Sequence, residues 1–275
     1  MLRQPALAAA GPGVTELLDL ARRVAAEAVE HVASLRPRGR VGIAGTKSSP
    51  TDLVTLIDRS CEELIRARIL AARPDDAFVG EEGQDVPGTS GVEWIVDPID
   101  GTVNFVYGIP RYAVAIGARI DGADEVGVVV NIATAESYEA VAGGGAWRTD
   151  EAEPRRLTGP PVLPLDQMLV ATGFNYVPEV REHQARAVGA MLPHVRDIRR
   201  IGAAALDLTD LAEGRLDAYV EQGLHVWDHA AAGLIAREAG LVVTGPDGSP
   251  SERLLVAAPA GSIDPFLDLV ARCGV

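Results

Sequence analysis

Residues Trp94-Ile95-Val96-Asp97-Pro98-Ile99-Asp100-Gly101-Thr102-Val103-Asn104-Phe105 constrain this chain more than any other stretch. The apolar run Trp94 to Val96 reads as a buried strand. It ends in Asp97, and Pro98, with no N–H for a ladder, is expected to stop it. Asp100 follows, and Gly101 lets the chain turn sharply with no Cβ in the way. Thr102 then opens a short helix. Two carboxylates and a hydroxyl thus converge where a buried strand meets a helix start. Carboxylate oxygens suit a hard cation such as Mg²⁺. The N–H groups of the turn suit an anion. One place built for both indicates a metal-assisted phosphate site.

Other readings of the same residues are weaker. Asp, Pro, Gly and Thr are also ordinary turn and cap residues. An EF-hand loop needs acids at alternate positions and a Glu at its twelfth, whereas Asp97 and Asp100 are three apart. The D-x-D-G-T box of haloacid-dehalogenase-type phosphatases places its acids two apart, so the spacing here argues against an aspartyl-phosphate route. His225 and His229 are expected to flank a helix start at Asp228 rather than share a face, and no H-E-x-x-H occurs, so zinc chemistry is unsupported.

A chain of 275 residues, 47% hydrophobic, can bury a full core in one large domain or two lobes. No apolar run is long enough to span a bilayer. Residues 1–13 read as a flexible tail rather than a signal peptide. Cys61 and Cys273 fit no metal or redox spacing, which points to a reducing cytoplasm. The formal charge of −14 repels phosphate backbones and argues against general nucleic-acid binding. Lys47 is the sole lysine, which marks a place that needs a compact ammonium.

Helical spacing predicts helices over 14–35 and 52–72, the second carrying Asp58 beside its apolar face. Phe78-Val79 is a short strand that runs into Gly80-Glu81-Glu82-Gly83. After the central stretch, short strands between 113 and 148 suggest an antiparallel meander. Pro160, Pro161 and Pro164 mark a boundary, giving an N-terminal α+β lobe over 14–159 and a C-terminal α/β lobe over 160–275. In the second lobe strands alternate with helices. Asp228 is expected to cap a helix that Gly240 ends.

Four ordered motifs carry a resemblance. They are Lys47-Ser48-Ser49-Pro50-Thr51-Asp52 leading to Asp58, Gly80-Glu81-Glu82, Trp94 to Phe105, and Glu221 through Trp227-Asp228 to Gly233. Together they resemble the inositol monophosphatase family, of the lithium-sensitive, Mg²⁺-dependent phosphatases, in its bacterial form. The resemblance covers most of the chain. It implies a layered αβαβα sandwich of the inositol monophosphatase and fructose-1,6-bisphosphatase type, usually a homodimer, with two or three Mg²⁺ ions per site. Glu81, Asp97 and the Ile99 carbonyl would hold one ion, and Asp97, Asp100 and Asp228 a second. A third would sit near Glu81. Asp58, Thr102 and Glu81 would be catalytic, with Thr102 and Asp58 deprotonating a metal-activated water. Asp100, Gly101 and Thr102 would face the phosphate, with Lys47 nearby. Glu221 and the backbone near Ala204 would meet the alcohol.

Three positions depart from the family pattern. Val106-Tyr107-Gly108 stands where many members carry His-Arg. Ala replaces an early Gly after His229, and Ala203 replaces a hydroxyl residue. The implied reaction is hydrolysis of small phosphate monoesters, inositol 1-phosphate first. The alternatives are 3′-phosphoadenosine 5′-phosphate, fructose-1,6-bisphosphate or histidinol-phosphate phosphatases of the same fold, or an accessory factor of the transcription machinery. The partner expected is a small phosphorylated polyol, with no membrane. No basic cluster is visible near Glu221 except His225, which puts an adenosine bisphosphate last among substrates.

Overall fold

The computed structural model describes residues 12–35, 45–46, 53–54, 56–150 and 153–275. The first half runs α1 (Pro12–Leu35), β1 (Gly45–Thr46), β2 (Leu53–Val54), α2 (Leu56–Ala72), β3 (Ala77–Gly80), β4 (Val92–Asp100) and α3 (Thr102–Tyr107). It continues through β5 (Ala113–Ile120), β6 (Ala123–Asn131), β7 (Ser137–Val141), β8 (Gly145–Arg148) and β9 (Arg155–Leu157). The second half runs β10 (Leu169–Thr172), α4 (Pro178–Met191), β11 (Asp197–Arg199), α5 (Ala204–Glu213) and β12 (Ala218–Glu221). It ends with α6 (Val226–Glu238), β13 (Leu241–Thr244), β14 (Leu255–Pro259) and α7 (Ile263–Cys273).

Strands β3 to β9 form a seven-stranded sheet in chain order. β3 is parallel to β4 and every later neighbour is antiparallel, as the meander predicts. A five-stranded mixed sheet has the order β11-β10-β12-β14-β13. Helices α1 and α2 pack together on one face of the larger sheet, and α5 and α6 on the other. The α5–α6 pair also contacts the smaller sheet, whose far face carries α7 with α4. The order of layers is therefore α, β, α, β, α.

Each layer follows from its side chains. The larger sheet is covered on both faces, so β4 reads as a continuous apolar run rather than an alternating one. Val92, Trp94 and Val96 join the core under α1 and α2. Along β5, Val114 and Ile116 join that core, while Ala113 and Ala115 face the middle layer. α6 is buried from Ala230 to Ala236, as a helix between two sheets must be. It lies very close to the larger sheet. Gly117 and Gly127 are cross-strand partners, and a Cβ at Gly127 would lie 2.4 Å from the Ala231 carbonyl oxygen. Two strand glycines thus provide the room for α6 to approach the sheet.

Three local expectations are corrected. β4 does not stop at Pro98: it runs to Asp100 with a register irregularity between Asp97 and Asp100, where a proline is tolerated. The second helix begins at Leu56, because Leu53–Val54 pairs instead with Gly45–Thr46. Asp228 is the third residue of α6, whose N-cap is His225. Lys47, Asp52 and the chain before residue 12 lie outside the described residues.

Candidate active site

The irregular end of β4 and the start of α6 bring Asp97, Asp100 and Asp228 together. They offer carboxylate oxygens within 4.8 Å of one another. Each is held by backbone. Asp97 Oδ1 accepts the Ile99 N–H at 3.1 Å. Asp100 accepts the Ala204 and Ala205 N–H groups at 3.2 and 2.8 Å. α5 has no side-chain cap, since its N-cap is Ala203. Asp100 therefore caps it from another part of the chain. Asp228 Oδ2 accepts the His225 N–H at 2.6 Å.

Burial pushes the pKa of Asp97 and Asp228 well above the usual carboxylate range, and the negative charges of the neighbouring acids push it further. The same causes raise Asp100 to about 7 against the pull of its two backbone bonds. Acids this close and this dry can all ionise together only with a cation between them. Every donor is oxygen, which fits a hard divalent ion.

Glu81 lines the same cleft from the turn after β3, without belonging to that close trio. Its turn is pinned from α2, where Glu62 accepts the Glu82 N–H at 2.6 Å and pairs with Arg66. Asp58, in the first turn of α2, is fully buried. The Thr102 hydroxyl lies 3.2 Å from Asp58 Oδ2 and 3.1 Å from the Ile99 carbonyl. Gly101 turns the chain into α3 at φ +84°. Ile99, Gly101, Thr102, Ala204 and Glu221 all line the cleft, which encloses about 280 Å³.

Glu221 closes the far side. It accepts a hydrogen bond from the Tyr219 hydroxyl at 2.5 Å, and burial raises its pKa. A Cβ at Gly173 would lie 1.9 Å from its carboxylate, so this position must be glycine for Glu221 to sit there.

The cleft also holds residues that sequence reasoning missed. Arg200 lines it, and its positive charge draws the Glu221 pKa down. His225 is thus not the sole basic residue near Glu221. Its Nδ1 is 3.0 Å from Glu252, and its ring stacks on Trp227. Phe174 adds an aromatic wall, with the Arg200 guanidinium 5.8 Å from its ring centre. The adjacent pair Arg199-Arg200 was visible, but nothing local said which arginine faces the cleft.

A layered fold with an acidic seam between its sheets defines a class of phosphatase-fold proteins, and the comparisons agree. The inositol monophosphatase family model matches residues 14–268, and the chain belongs to that family. It is 47% identical over 238 residues to inositol-1-monophosphatase SuhB of Mycobacterium tuberculosis, covering 84% of this chain and 82% of that protein. It is 37% identical over 253 residues to Nus factor SuhB of Vibrio cholerae, covering 89% of this chain and 92% of that protein. The solved structure of Mycobacterium tuberculosis SuhB superposes with a TM-score of 0.81 at 43% identity, covering 94% of this chain and 97% of that one.

Proposed function

We propose that this chain is a Mg²⁺-dependent phosphate monoester hydrolase that prefers small polyol phosphates, inositol 1-phosphate first. The observation that carries this is the meeting, in one cleft, of a buried carboxylate trio with the Thr102 hydroxyl, which is hydrogen-bonded from behind to the buried Asp58 of a separate motif. Glu81, Asp97 and the Ile99 carbonyl would hold one Mg²⁺. Asp97, Asp100 and Asp228 would hold a second, with a third near Glu81. Bound ions supply charge neutralisation at the phosphate and a more acidic water.

The chain's own residues do the rest. Thr102 Oγ1, its hydrogen directed to Asp58, accepts a hydrogen bond from the attacking water and relays the proton to Asp58. The water oxygen bonds to phosphorus as the bond to the alcohol oxygen breaks on the opposite side. That oxygen leaves as the alcohol after taking a proton from solvent. The Gly101 and Thr102 N–H groups hold phosphate oxygens, which costs no reorganisation during the reaction. Glu221 accepts hydrogen bonds from hydroxyls of the alcohol, which lies against the backbone near Ala204. Arg200 offsets the Glu221 charge, so a second anionic group on the substrate is disfavoured less than Glu221 alone would make it. The same reading makes the protein a lithium-sensitive cytoplasmic homodimer.

The test is a substrate panel with Mg²⁺ or a chelator, on wild type and Glu221→Gln. Wild type should hydrolyse inositol 1-phosphate best, only with Mg²⁺. Glu221→Gln should lose roughly 1–3 kcal/mol of efficiency on inositol phosphate, the scale of a lost buried partner. It should barely change on an aryl phosphate without hydroxyls. Full activity in chelator overturns the metal reading, and equal loss on both substrates removes Glu221 from alcohol recognition.

The Nus factor name of the Vibrio relative favours a second reading, an accessory role with the transcription machinery. Pull-down from cell extract with Asp97→Asn, made to abolish hydrolysis, separates that role from catalysis.

A further inference from the structure

We infer that Asn104 is a positioning residue of this site: its amide clasps the turn at Gly101 to the start of α5 and thereby sets Asp100. The inference rests on the proposed function. Asn104 belongs to the central stretch, but its side chain takes no part in the chemistry above. It is buried, and its Nδ2 lies 2.8 Å from the Arg111 carbonyl, 3.0 Å from that of Ile201 and 3.3 Å from that of Gly202. All three partners are backbone carbonyls, which only accept, so the amide nitrogen must be the atom that faces them. The amide has two hydrogens. The two shorter contacts take one each, and the longest shares.

These carbonyls also border the phosphate turn. A Cβ at Gly101 would lie 2.8 Å from the Arg111 oxygen and 3.2 Å from the Gly202 oxygen. The chain at Gly101 therefore rests directly on the seam that Asn104 closes. The Asn104 backbone carbonyl accepts the Ile109 N–H at 2.9 Å, closing the loop that delivers Arg111.

Across the seam, Ile201 and Gly202 precede the Ala203 N-cap of α5, whose first N–H groups are the ones bound to Asp100. The start of α5 is thus gripped twice from one short stretch. Asp100 takes its donors, and Asn104 takes the acceptors just before them. If the Asn104 grip is lost, α5 can shift relative to the Gly101 turn. Asp100 must then follow its backbone donors or lose them. A carboxylate at that position cannot replace the amide, because it donates nothing to three acceptors.

The experiment compares wild type, Asn104→Ala and Asn104→Asp well below their thermal midpoints. Mg²⁺ binding is read by calorimetry, and kcat and KM on inositol 1-phosphate by phosphate release. Each folded variant should bind Mg²⁺ about tenfold more weakly and lose about 10²-fold in kcat, with KM nearly unchanged, the scale of a small misplacement of reacting groups. A folded variant with wild-type Mg²⁺ binding and kcat, and only a lowered midpoint, overturns the proposal. Failure of both variants to fold assigns Asn104 to stability alone and also overturns it. A wild type that neither binds Mg²⁺ nor hydrolyses the ester would instead fail the functional reading itself, so the two failures are distinct.

Discussion

Thr102 has one hydroxyl hydrogen and two acceptors in reach, Asp58 Oδ2 and the Ile99 carbonyl. Only the bond to Asp58 leaves the oxygen ready to take a proton from water and pass one on. Thr102→Ala removes the relay atom. Asp58→Asn keeps the shape but cannot accept the proton. Each should lower turnover roughly 10²-fold or more, in the range of acid–base groups. The double variant should be little worse than either single one, since the pair acts as a unit. Rates of phosphate release on the four proteins check this, and additive losses would show two independent roles. Trapping a phosphorylated Asp97 would support the covalent route that the acid spacing argues against.

At the scale of elements, the site depends on how closely α6 approaches the larger sheet. Asp228 rides on the first turn of α6, and the next turns lie over Gly117 and Gly127. Gly127→Ala would put a methyl 2.4 Å from the Ala231 carbonyl oxygen, a backbone atom that cannot yield without moving the helix. The expected cost is about 1–3 kcal/mol of stability, typical of overpacking. Asp228 should move with the helix, so Mg²⁺ affinity should fall too. Thermal denaturation and calorimetry on this variant test both, and lost stability with unchanged Mg²⁺ binding would uncouple the packing from the site.

The same elements show what was legible beforehand. α1, the meander and the acid-bearing end of β4 were readable because each is specified by local periodicity or by residues adjacent in the chain. The continuation of β4 through Pro98 was not, because a sheet neighbour decides it. Asp228 at the third helical position rather than the cap was also missed, since either placement puts an acid at a helix start. Arg200 in the cleft depends on Phe174 and Glu221, more than twenty residues away, and Asn104 across the seam on contacts spanning about a hundred residues, which no local pattern encodes.

For the whole molecule, the acid cluster makes stability a function of pH and metal together. The chain carries a formal charge of −14, and Asp97, Asp100, Asp228 and Glu221 all have folded pKa values raised by burial. A carboxyl group with a raised folded pKa binds its proton more tightly folded than unfolded. Its contribution is fully present below the unfolded value and is lost as pH rises through the folded one. For Asp100 that loss runs from the ordinary carboxylate range up to about 7. Protein held in chelator should therefore show a thermal midpoint that falls as pH rises from about 4 to about 7. Mg²⁺ reverses the preference at its ligands by favouring the ionised form. It also adds about 2.7 kcal/mol when present at a hundred times its dissociation constant. The gap between the Mg²⁺ and chelator midpoints should widen as pH rises. Asp207 should leave a residual slope even with Mg²⁺, because it is buried on α5, is raised by that burial, and has neither oxygen hydrogen-bonded among the described residues. Calorimetric scans at four pH values, with Na⁺ at matched ionic strength as control, decide the matter. A gap that stays constant with pH would mean that the ion does not bind through these carboxylates.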